Sequence, residues 1–161
     1  MQLQDLKSQL TFVFPVRIDC EERRENLRVV LRQLDGLGCR MLVLEADAVP
    51  ALWDEAWPDG VEYTFVEDAS AVFHRTRYIN ELLRMSATEV VGVWDTDVLV
   101  GYAQIGEAVQ LILEGCTIAY PYNGQFVMLS EQMSVHTRKK PDLEYLRCMR
   151  LNSFLGRRLC G

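Results

Sequence analysis

The sequence predicts an α/β fold with a mostly parallel sheet and helices on both of its faces. Short apolar segments alternate with helical segments of a dozen residues or more, and this alternation is typical of consecutive βαβ units. The chain has 161 residues, the size of an ordinary single domain. Hydrophobic residues make up 49% of the chain and charged residues 25%, which is a globular composition rather than a disordered one.

The strand segments are short and apolar. The first, LTFVFPV at residues 10–16, carries no charge, and a run of this kind predicts a strand buried on both faces. Similar runs predict four more strands, at residues 39–45, 61–66, 89–94 and 116–122.

Three segments, at residues 21–35, 72–86 and 102–114, have the periodicity of helices that bury one face. Acidic residues in the first turn of 21–35 suit the helix dipole. The residues predicted to face the core are, in chain order, Leu27, Val30, Leu31 and Leu34; Ile79, Leu82, Leu83 and Met85; and Ile105, Ala108, Val109 and Ile112.

The chain is predicted to consist of an α/β domain at residues 1–124 and a basic C-terminal segment at residues 125–161. Residues 136–161 hold seven basic and two acidic groups, whereas the whole chain has a net charge of −6. Leu143, Leu146, Arg150 and Leu155 predict a cationic, partly amphipathic helix in this segment. We expect residues 136–161 to contact an anionic membrane surface or another subunit, or to pack on the acidic body.

Composition and missing motifs exclude several classes of protein. An acidic chain repels nucleic-acid backbones, so no nucleic-acid partner is expected. The five cysteines lack a Cys-x-x-Cys pair, which disfavours a disulfide framework or structural zinc site and favours the cytoplasm. No apolar run is long enough to cross a membrane, and the N-terminus lacks the pattern of a secretory signal. The phosphate-binding, dinucleotide-binding and hydrolase glycine motifs are also missing.

Ligands of parallel sheets bind beyond the carboxyl ends of the strands, so candidate residues are sought after residues 16, 45, 66 and 94. Asp95 and Asp97 follow the fourth predicted strand. Two carboxylates there can hold a hard divalent cation, Mg²⁺ or Mn²⁺, together with substrate phosphates. The alternative is a surface turn with two solvated acids.

The helix that follows the third strand begins with FHRTRYIN. A helix N-terminus with arginines suits a diphosphate, because its free N–H groups and the guanidinium donors face the same anion. Alternatively, Arg75 and Arg77 pair with local acids such as Glu67, Asp68 and Glu81.

Two further candidates follow the first and second strands. Arg17 is placed near a phosphate and Asp19 near a base or ribose, unless Asp19 or Cys20 caps the next helix. Glu45, with Asp47, can accept hydrogen bonds from a base or ribose. The alternative for Glu45 is a solvated loop.

In this order, FPVRID, FVEDASAVFHRTRYIN and VVGVWDTDVLV resemble the nucleotide-sugar half of glycosyltransferases with the GT-A fold. The resemblance covers residues 10–124. The last two segments are similar to the corresponding region of β-1,4-galactosyltransferases, and the general layout is similar to that of family 2 glycosyltransferases.

The resemblance implies hexosyl transfer from a UDP-sugar to an unknown acceptor, with Mn²⁺ or Mg²⁺. Asp97 would bind the cation, and Asp95 would contact ribose, sugar or the cation through water. Pro15 and Arg17 would line the uridine pocket, and Phe73 and Arg75 would contact uracil and phosphate.

The sequence departs from this family after residue 124. Such enzymes continue with a glycine-rich turn and an acidic acceptor-binding motif that supplies the base, and residues 125–161 contain neither. The catalytic base is therefore unassigned, and the chain is expected to be a truncated version of the fold. The alternatives are a non-catalytic domain that binds UDP-sugar, protein or lipid, and a sugar nucleotidyltransferase. The latter ranks lower because FPVRIDCEERR lacks glycine.

Overall fold

A computed structural model of the protein describes residues 3–125, 127–143 and 146. It has a four-stranded, all-parallel sheet with helices on both faces, which confirms the predicted fold class. The chain divides into two units, and the boundary falls after Pro121. The elements, in chain order, are α1 (Leu3–Gln9), β1 (Leu10–Val16), α2 (Glu21–Asp35), β2 (Arg40–Asp47), β3 (Val61–Glu67), α3 (Arg75–Met85), β4 (Val90–Val93), α4 (Tyr102–Leu113) and α5 (Glu131–Lys139).

The strand order is β3-β2-β1-β4. Thr11 pairs with Arg40, Leu10 with Val90 and Met41 with Val61, in parallel register. The chain therefore moves outward from β1 to β3 and then returns to the other side of β1. The point where the order reverses lies between β1 and β4, and ligands of such sheets bind at this switch point. We call the side of the sheet where all four strands end the carboxyl edge.

The two faces of the sheet have separate apolar clusters because successive strand residues point to opposite sides. On one face, Phe12 and Phe14 of β1 pack with α2 and α4. On the other face, Val13 packs with Tyr78 and Leu82 of α3. All four core residues predicted for α2 are buried.

Pro15 lies within β1 in the interior of the sheet, a place where proline usually removes a strand hydrogen bond. Alternate residues of a strand direct their backbone groups to the same neighbour, and the carbonyl of Val13 accepts from the N–H of Trp94 at 3.0 Å. The backbone groups of Pro15 therefore point toward β4, as those of Val13 do. The β1–β4 pairing ends at Val13 and Val93, so no partner is lost.

The fifth predicted strand, at residues 116–122, does not form. A strand needs a neighbour for its backbone groups, and β4 pairs only with β1 among the described residues. Ile118 and Tyr120 are accordingly 71% and 68% exposed.

The predicted core face of α3 is partly wrong. Leu82 is buried, but Leu83 and Met85 are exposed, and Tyr78 fills the place next to Leu82. Tyr78 and Leu82 lie four residues apart on one helical face. That face packs on the sheet, and the face that carries Leu83 and Met85 does not.

Two helices were not predicted at their observed positions. α1 precedes the first strand, and α5 begins where the Ser130 hydroxyl accepts from the Met133 N–H at 3.4 Å. Arg150 and Leu155 of the predicted C-terminal helix lie outside the described residues. Contact of residues 136–161 with a membrane or subunit stays a prediction. None of the described helices has the length and apolar character that crossing a bilayer requires.

We expect Gly92→Ala to destabilise the protein by about 1–3 kcal/mol, because it overfills a packed core. A Cβ at Gly92 would lie 3.0 Å from Cδ1 of Phe12, whose ring is fully buried. Gly106→Ala is the control. Gly106 lies on α4, and a Cβ at this position would meet nothing within 4 Å. Alanine should stabilise that helix by up to about 1 kcal/mol. Urea unfolding of both variants measures the difference, and equal stabilities would contradict the expectation.

Candidate functional site

The loop after β4 presents Asp95 and Asp97 to solvent at the carboxyl edge. Trp94 anchors it, because its ring is buried and packs edge-to-face on Phe12 with centroids 5.1 Å apart. The Trp94 indole N–H donates to the carbonyl of Val98 at 3.0 Å, which closes the loop into a short turn. The two acids are therefore exposed on a loop whose two ends are fixed, at the switch point between β1 and β4.

Arg75 joins this loop to the start of α3. One of its terminal nitrogens lies 2.6 Å from Oδ1 of Asp95, and the two side chains are 47% and 60% exposed. His74, at the N-cap position of α3, makes no side-chain cap bond, and the first turn of the helix holds no acidic residue, so that turn itself carries no negative charge to offset the positive helix end. An open depression of about 570 Å³ is lined by residues 73–77. Arg75 and Asp95 are thus in contact at the carboxyl edge.

Asp95 and Asp97 are the two carboxylates that the sequence predicts to hold a divalent cation. The described residues contain no group of three or more histidine, cysteine, aspartate or glutamate side chains that could hold a metal ion. Magnesium-type sites commonly use one or two carboxylates, with water and substrate phosphates completing the shell. A cation at these two carboxylates would therefore bind more weakly alone than together with a phosphate compound.

Arg17 does not face open solvent at this edge; its side chain is only 17% exposed. Its Nε donates to the carbonyl of Ala46 at 2.9 Å, and its two terminal nitrogens donate to the carbonyls of Ser70 at 2.9 Å and Asp68 at 3.2 Å. Asp47 lies 3.9 Å from Nε. At least three of the guanidinium donors are therefore directed at the backbone at the end of β2 and after β3.

Phe73 lies beneath this guanidinium, with its ring centroid 5.4 Å from Cζ of Arg17, a distance typical of cation–π contacts. Its ring also packs on Tyr78, 5.2 Å away. The Tyr78 hydroxyl donates to the Asp68 carboxylate, and this bond, with that from the Ser70 N–H, holds the pKa of Asp68 below its usual value. Sequence reasoning missed Tyr78, although its spacing from Leu82 was a usable signal.

Glu45 is buried, whereas the sequence predicted a carboxylate open to a ligand. It is 0% exposed and accepts from the N–H groups of Ala51 at 2.9 Å and Leu52 at 3.1 Å. The Tyr63 hydroxyl also donates to it at 2.5 Å. Burial, followed by this contact with Glu45, raises the pKa of Tyr63. A base or ribose could reach Glu45 only if the loop after β2 opened.

The remaining candidates have local partners. Asp19, which precedes α2, pairs with Arg23 of that helix at 3.3 Å, and Cys20 occupies the N-cap position without a side-chain cap bond. Arg77 pairs with Glu81 at 3.3 Å, as the alternative interpretation predicted. Pro15 is buried inside β1.

The carboxyl edge thus brings together Arg17, Phe73, Arg75, Asp95 and Asp97 at the ends of the strands and the start of α3, while Glu45 and Pro15 are buried. Comparison with protein-family models, curated proteins and solved structures found no match for this chain.

Proposed function

We propose that the chain binds a UDP-sugar together with Mn²⁺ or Mg²⁺ at the switch point between β1 and β4. In this proposal it forms the donor-binding part of a glycosyltransferase that moves a hexosyl group to an acceptor. The observation that supports the proposal best is the 2.6 Å contact between Arg75 and Asp95. It joins a basic helix start to an acidic loop, and a cation-bound diphosphate needs both signs of charge.

The charges at this site match the parts of such a donor. A divalent cation held by Asp95 and Asp97 would neutralise the diphosphate and favour departure of UDP. Arg75 and the N-terminus of α3 would bind phosphate oxygens, since forked guanidinium donors and a helix dipole both favour anions. Phe73, which is half-buried and comes two residues before Arg75, would contact uracil. Asp19 lies at the same edge, beyond the end of β1.

Calorimetric titration of UDP and UDP-galactose tests the proposal. We expect binding in the presence of Mn²⁺ and little binding with EDTA. Asp97→Ala should weaken it by at least about tenfold, the effect of losing roughly 1.4 kcal/mol. Asp59→Ala is the matched control: it removes the same charge from an exposed turn before β3, at the opposite edge of the sheet, and should bind like the unaltered chain.

Two results would count against this function. Absence of UDP binding with both Mn²⁺ and Mg²⁺ would rule out the proposed function. Equal losses of UDP affinity in Asp97→Ala and Asp59→Ala would show that only the overall charge of the chain matters. Release of UDP from UDP-sugar, followed in the same samples, separates transfer from binding alone. Binding without release would favour a non-catalytic UDP-sugar-binding domain.

A further inference from the structure

We infer that Arg17 is a positioning residue that fixes the start of α3, and so keeps Arg75 beside Asp95. Its role in donor binding rests on the proposed function; its role in holding α3 does not. The three carbonyls that it contacts belong to Ala46 at the end of β2 and to Asp68 and Ser70 after β3. One side chain from the end of β1 therefore ties together the ends of three neighbouring strands.

The segment at residues 68–74 leads directly into α3 and is braced from two sides. Arg17 holds its backbone carbonyls and stacks over Phe73. From the other side, Tyr78 donates to the Asp68 carboxylate, whose second oxygen accepts the Ser70 N–H at 2.8 Å. Arg75 comes two residues after Phe73, so a shift of this segment moves Arg75 relative to Asp95.

The geometry requires arginine rather than any cation. A planar guanidinium directs several N–H donors along fixed directions, whereas a lysine ammonium is a compact charge on a flexible stem. Lysine at position 17 would keep the charge next to Asp47 but could not bond all three carbonyls at their present positions. Arg17→Lys therefore removes some of the hydrogen bonds to the carbonyls and keeps the positive charge.

Hydrogen exchange followed by mass spectrometry tests this in the ligand-free chain. We expect Arg17→Lys to speed exchange over residues 67–78 by at least about tenfold, because local opening becomes easier, and to leave α4 unchanged. Arg40→Lys is the control. Arg40 also bonds a backbone carbonyl, that of Met85, and a carboxylate, that of Glu62, but it lies at the opposite edge. It should not affect residues 67–78.

Unchanged exchange over residues 67–78 would overturn the inference. If Arg17→Lys instead raises exchange throughout the chain, the size of the rise in each segment decides. A rise over residues 67–78 several-fold larger than that over α4 supports the positioning role, and an equal rise in both overturns it.

A double-mutant cycle on UDP affinity then tests how Arg17 acts on the ligand. If it acts through Arg75, Arg17→Lys should weaken binding several-fold in the unaltered chain and much less when Arg75→Gln is already present. Full additivity would mean that Arg17 contacts the ligand itself and would overturn the inference. Failure of the proposed function has a different signature: the unaltered chain binds no UDP, while the exchange result is unaffected.

Discussion

Glu45→Ala should lower the free energy of unfolding by about 3–5 kcal/mol, because it leaves one buried and two half-buried donors without an acceptor. The Ala51 and Leu52 N–H groups and the Tyr63 hydroxyl all donate to this fully buried carboxylate. Small proteins are stable by only about 5–15 kcal/mol, so the loss would be a large part of the total.

The same change should loosen the long connection between β2 and β3. Besides Glu45, this connection is held by Arg28, which bonds both carboxylate oxygens of Glu55 at 2.8 and 2.5 Å, and by Arg24, which donates to the Ala51 carbonyl. Glu45 is the strand residue among these anchors. Its loss should therefore affect the end of β2 and the loop together.

Urea unfolding measures the effect, and Glu62→Ala is the matched control. Glu62 is also a strand glutamate, but its partner is Arg40 and its side chain is 54% exposed. Exposed pairs of this kind contribute at most about 1 kcal/mol. Tyr63→Phe should fall between the two variants, since it removes one of the donors and leaves the carboxylate bonded to backbone. Similar losses for Glu45→Ala and Glu62→Ala would show that burial of Glu45 does not matter.

Arg75→Gln should have two opposite effects on ligand binding. UDP affinity in the presence of Mn²⁺ should fall by about 10- to 100-fold, because a charge-assisted contact to phosphate is lost. If the proposed site binds Mn²⁺, its affinity for Mn²⁺ without UDP should rise, because Arg75 would no longer compete with the cation for the Asp95 carboxylate, which lies 2.6 Å from Arg75. A variant that was merely misfolded would lose both.

Calorimetry gives the UDP affinity, and electron paramagnetic resonance of free Mn²⁺ gives the metal affinity. Arg84→Gln provides the control, since Arg84 lies in the last turn of the same helix and its loss changes the net charge equally. We expect both affinities of that variant to stay within about twofold, because exposed charges more than a Debye length apart are screened. A fall in Mn²⁺ affinity with Arg75→Gln would contradict the competition between Arg75 and the cation.

Sequence reasoning succeeded for elements whose signal is local. The continuous run at residues 10–16 and the helical period at residues 21–35 coincide with β1 and α2. Sequence reasoning failed for a strand whose formation depends on a neighbouring strand. Residues 116–122 have the composition of a strand, yet no strand forms there because the described sheet ends at β4.

The sequence alone determined the fold class and which polar residues follow each strand, because periodicity and strand boundaries are encoded in adjacent residues. Only the tertiary structure decided what those residues do. Arg75 and Asp95 are 20 positions apart, and Arg17 is 53 positions from Ser70; the strand order and α3 bring them into contact. The same packing buries Glu45 beneath the loop after β2. A side chain's partners and its exposure to water are set by distant segments, and local sequence patterns do not encode them.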